Sequence, residues 1–124
     1  MTAWAGVIGA ACGALGVAAG AFGAHGLKPV LEERGTKPIW ELAATYHLLH
    51  AVALVLVALT FQARGPSTAL TTATVAFTAG IVFFSGSLYV LSIGGPRWMG
   101  PITPLGGTAF IVGWVALALA WRPA

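Results

Sequence analysis

Apolar and polar positions divide the chain into four long uncharged stretches, at 3–24, 42–61, 68–93 and 102–121. An α-helix needs about 20 apolar residues to cross a hydrocarbon core of about 30 Å. The pattern therefore predicts an all-α integral membrane bundle of four transmembrane helices, forming one domain over 1–124. The polar 25–41 loop is long for a helix connection and is expected to hold a short interfacial helix around 29–34. Turn residues fall where the spans end. Gly26 reads as the residue after the first helix, with Pro29 soon after. Pro38 fits the first turn of the second helix, Pro66 and Ser67 open the third, and Gly94, Gly95 and Pro96 close it. Thr103 and Pro104 read as the N-cap and first residue of the fourth. Trp4 and Trp121 are expected at one membrane interface and Trp40 and Trp98 at the other, as an aromatic belt. Trp114 falls inside the last span.

Composition excludes the main alternatives. Hydrophobic residues make up 58% of the chain and charged residues 7%, against about 25% charged in soluble domains. Asp and Asn are absent. So few polar groups cannot cover a water-facing surface, which excludes a soluble domain, and the apolar content excludes a disordered chain. Six basic residues against three acidic ones are too few for a nucleic-acid groove, so the expected surroundings are the lipid bilayer and no nucleic acid. Lys28, Arg34, Lys37 and Arg97 lie in the two loops of one side, and Arg64 and Arg122 on the other. Positive charge thus places the loops in the cytoplasm and both termini outside. The first span lacks a basic leader region and is too long for a signal peptide. Gly9, Ala10, Ala11 and Cys12 imitate a lipoprotein cleavage box only faintly, because Leu is missing. Cys12 has no second cysteine to pair with and is expected to be a small buried residue.

Glycine patterns the helices. Gly6, Gly9, Gly13, Gly16, Gly20 and Gly23 form a heptad-spaced seam on the first helix. Gly106 and Gly113 belong to a second seam, with Ala109, Ala116 and Ala120, on the fourth. Ala44, Ala51 and Ala58 recur every seven residues on the second. Lipid is as apolar as a leucine, so close backbone approach over small residues drives association between membrane helices. Such seams serve packing inside the monomer, or assembly into a homo-oligomer or with other membrane proteins.

The unusual polar residues gather in the half of the membrane next to the 25–41 loop. They are His25, Tyr46, His47, His50, Ser85, Ser87, Tyr89 and Thr103, drawn from four segments. His50 lies eight residues beyond Leu42, about 12 Å into its span at 1.5 Å per residue. His47, three residues earlier, shares its face. An ionisable group at such depth is a functional candidate, although a neutral imidazole also serves simply to bond across a helix interface. Histidine suits proton transfer near neutral pH and metal ligation. No carboxylate or thiol stands at ligand spacing, so no metal and no cofactor is expected. Glu41 reads as a solvated interface charge. Without Asp, and without the hydrolase, metalloprotease or phosphate-loop patterns, an enzyme is not expected.

Four segments carry a family likeness: GAFGAHGL at 20–27, YHLLHA at 46–51, FSGSLY at 84–89 and GPITPLGG at 100–107. In order and spacing they resemble domain-of-unknown-function family 423. The resemblance implies a four-helix protein of the bacterial inner membrane and implies no reaction. Two functions remain in view. One is a small-solute or proton binding or translocating protein that uses the polar cluster. The other is a non-catalytic accessory or scaffold protein that assembles through its glycine and alanine seams.

Overall fold

The computed structural model describes residues 2–123, which are helical apart from short turns. A 3-10 turn (Thr2–Trp4) leads into α1 (Ala5–Ala24). Then follow α2 (Lys28–Arg34), α3 (Lys37–Arg64), α4 (Thr68–Gly80), α5 (Gly86–Ser92) and α6 (Ile102–Trp121). A π-helical turn, Ile81–Ser85, joins α4 to α5 without a break. The result is four helices long and apolar enough to cross a membrane, the third being Thr68–Ser92. At 28 residues, α3 is about 42 Å long. It outruns the hydrocarbon core, and its Lys37–Glu41 turn stands beyond the apolar part of the span.

Local chemistry sets most boundaries. Gly35 ends α2 at φ 67° and Gly94 follows α5 at φ 95°, both left-handed conformations suited to glycine. The Ser67 hydroxyl accepts from the Leu70 N–H at 3.2 Å and caps α4. Two expected ends differ. Gly26 has no positive φ; α1 closes instead at His25, whose N–H reaches the Ala21 and Phe22 carbonyls. Thr103 does not cap α6: the helix begins at Ile102 behind Pro101, which puts Thr103 inside its first turn, with its hydroxyl paired to Ser87.

In the bundle, α3 is central. It meets α1 on one side and α4, the π-turn and α5 on the other, while α6 packs mainly on α4 and the π-turn. The core joins Leu54 and Val57 of α3 to Leu70, Phe77 and Ile81, and to Phe110 and Leu117 of α6. Glycine makes these approaches close enough. A Cβ on Gly9 would lie 2.9 Å from the Ala51 carbonyl oxygen, and one on Gly16 would lie 2.7 Å from Leu48. Gly23 is covered by the Trp40 ring, Gly80 by Phe110 and Gly113 by Phe77, and Gly106 lies against the Phe83–Phe84 backbone. Thus Gly9, Gly16 and Gly23 of the α1 seam pack tightly on α3. Gly6 and Gly13 are looser, and a Cβ on Gly20 would meet nothing within 4 Å.

Both long loops lie at one end of the bundle. The Thr36 hydroxyl donates to the Ser92 carbonyl at 2.6 Å, and the Arg34 guanidinium rests on Gly94. At the other end the Arg64 guanidinium sits 4.4 Å from the Trp121 ring centroid. The Trp121 indole N–H donates to the Thr60 hydroxyl at 2.9 Å. Trp4, Trp98 and Trp121 are exposed, whereas Trp40 is enclosed by the bundle. It is 8% exposed, and its N–H donates to the Ala19 carbonyl at 2.8 Å. The space left by Gly23 admits this ring between α1 and α3.

The packed and open glycines should respond oppositely to a methyl group. Gly106→Ala is expected to cost about 1–3 kcal/mol through forced separation of α6 from the π-turn, and Gly20→Ala next to nothing. Thermal unfolding in detergent measures both. An unchanged midpoint for Gly106→Ala would contradict the packing described.

Candidate functional site

The deepest polar residue is the most completely bonded. His50, on α3, is 2% exposed. Its Nδ1 lies 2.8 Å from the Tyr46 carbonyl oxygen, and the Trp114 indole N–H donates to its Nε2 at 3.1 Å. A carbonyl can only accept and an indole N–H can only donate. Nδ1 therefore carries the proton and Nε2 the lone pair, which defines one neutral tautomer. The imidazole is sandwiched into the core, stacked on Phe110 at a centroid distance of 3.5 Å and an interplanar angle of 9°. Phe77 and Trp114 close its other sides. Both ring nitrogens of His50 are thus engaged, Nδ1 within α3 and Nε2 in the bond that ties α3 to α6.

His47 faces elsewhere. Its Nδ1 is hydrogen-bonded to the Tyr89 hydroxyl of α5 at 2.9 Å. The Tyr89 ring in turn packs on Trp40 at 4.6 Å. The other edge of the imidazole lies against α1, where a Cβ on Gly16 would approach its Cδ2 at 3.4 Å. His47 is 7% exposed, and its Nε2 has no hydrogen-bond partner among the described residues.

The hydroxyls hold the π-turn in place. Ser85, inside it, donates to the Ala43 carbonyl of α3 at 2.8 Å. Ser87 donates to the Phe84 carbonyl at 2.9 Å, which uses its only proton. The Thr103 hydroxyl, 2.6 Å away, must then donate to Ser87. Tyr46 contributes its carbonyl to His50, while its ring packs on Phe84 and remains 37% exposed. His25 is exposed at the end of α1, apart from the others. Glu41 pairs with Lys37 at 3.9 Å.

The expected residues form separate contacts: His47 with Tyr89, His50 with Trp114, Ser85 with α3, and Ser87 with Thr103. His25 joins none of them. Among the described residues no group of three or more His, Cys, Asp or Glu could hold a metal ion. Three further residues matter that sequence reasoning passed over: Trp114 and Phe110, which fix His50, and Trp40, which backs Tyr89. Trp114 carried a usable signal. An indole N–H in mid-span needs an acceptor within the protein, and His50 is a candidate at matching depth.

Comparison with known proteins agrees with this architecture. Residues 19–107 match the family described as "Protein of unknown function (DUF423)". The chain is 41% identical over 114 residues to the UPF0382 membrane protein YwdK of Bacillus subtilis, with 92% of each chain covered. A UPF0382 membrane protein of Staphylococcus epidermidis is also 41% identical over 114 residues, covering 92% of this chain and 91% of that one. One of Haemophilus influenzae is 38% identical over 107 residues, covering 86% of this chain and 81% of that one. No solved structure matches. The motifs, the four apolar helices and these relatives converge: the chain is a membrane protein of the DUF423 family, whose function is unknown.

Proposed function

We propose that this chain is a non-catalytic accessory protein of the bacterial plasma membrane, one that associates with other membrane helices. The carrying observation is His50. The deepest ionisable group has both nitrogens bonded and its ring stacked, as a packing element requires. Ser85, Ser87 and Thr103 are likewise spent between segments of the bundle. The tight glycines of α1 and α6 are consumed inside the chain, which leaves the outer face of α1 for association. There Ala10, Ala14 and Ala18 are exposed at four-residue spacing, the small-xxx-small pattern of helix pairing. The 25–41 and 94–101 loops are assigned to the cytoplasm on the weight of Lys28, Arg34, Lys37 and Arg97 against Arg64 and Arg122.

A second reading, a proton or small-solute site, is favoured by one observation: the unbonded Nε2 of His47. The two readings separate experimentally. As a packing element, His50 should show one neutral tautomer in nitrogen-15 NMR of histidine-labelled protein, with the proton on Nδ1. Trp114→Phe should shift the Nε2 resonance and lower stability by about 1 kcal/mol. Two exchanging tautomers in the parent protein would count against a locked ring. In proteoliposomes carrying a pH gradient and an interior dye, the accessory reading expects dissipation no faster than in empty vesicles. Faster dissipation that His47→Gln abolishes would replace it with the proton reading.

A further inference from the structure

We draw no further inference here: the strongest candidate, the pocket of about 430 Å³ between the start of α4 at Ser67, Thr68 and Ala69 and the end of α6 at Arg122, is a helix N-terminus beside an exposed arginine, and nothing in the structure shows what occupies it.

Discussion

Three aromatic rings occupy places that glycines leave empty: Trp40 at Gly23, Phe110 at Gly80 and Phe77 at Gly113. The rest of the bundle depends on this ring-in-hollow contact. Hydrocarbon drives membrane helices together only weakly, so shape must do so. Each ring couples two spans at a distance a larger residue would forbid. The same rings then determine the polar geometry. Phe110, seated over Gly80, is the plate on which His50 stacks. Phe77, seated on Gly113, packs edge-on to Trp114 at 5.1 Å and so helps aim the indole at His50. Trp40, seated on Gly23, backs the Tyr89 ring that bonds His47. Apolar fit comes first, and the hydrogen bonds follow from the positions it sets.

Several of these bonds gather at the third span. Around the π-turn the usual helical bonding is relaxed by one residue, and π-turns mark places where a helix is re-aimed. Here the turn lies between a carbonyl of α3, which Ser85 reaches, and the bare backbone of α6 at Gly106. Ser85 and Ser87 thus join the third span to both neighbours. Single interhelical bonds of this kind average about 0.6 kcal/mol in membranes. Their contribution lies more in fixing register than in strength, because an unpaired group in hydrocarbon costs far more than a paired one gains.

Much of this was legible in the sequence, for physical reasons. Charges are costly in hydrocarbon, so nine of them partition four spans almost without ambiguity. Gly94 and Ser67 mark ends because their backbone and side-chain preferences are local. The gathering of His47, His50, Ser85, Ser87, Tyr89 and Thr103 at one depth also follows from counting residues along antiparallel spans. What counting does not reveal is azimuth. His47 and His50, at i and i+3, differ by about 60° around the helix. On a central helix with α1 on one side and α4, the π-turn and α5 on the other, that angle turns His47 toward Tyr89 of α5 and His50 toward Trp114 of α6. The π-turn was equally hidden, since it depends on what α6 and α3 press against it. The burial of Trp40 was hidden as well, because an aromatic residue near a span end turns inward only where a hollow such as that at Gly23 receives it.

The glycine seam of α1 illustrates the same limit and its consequence. Spacings of 3 and 4 describe a single stripe only on a helix wound to 3.5 residues per turn. On a straighter helix they resolve into two rows, Gly9, Gly16 and Gly23 beside Gly6, Gly13 and Gly20. α3 supplies Leu48, Leu54 and Trp40 to the first row, and only Ala51 and Ala58 to the second. The second row is therefore held at a distance, by Ala58 at 3.4 Å near one end and by nothing at Gly20 near the other. Such a gap is a consequence of packing large residues against one row, and it opens where α3 leaves the hydrocarbon and becomes charged. Small residues that seem redundant for packing the monomer thus shape a surface, and that surface has polar chemistry only at the loop end, beside Lys37, Glu41 and Thr45.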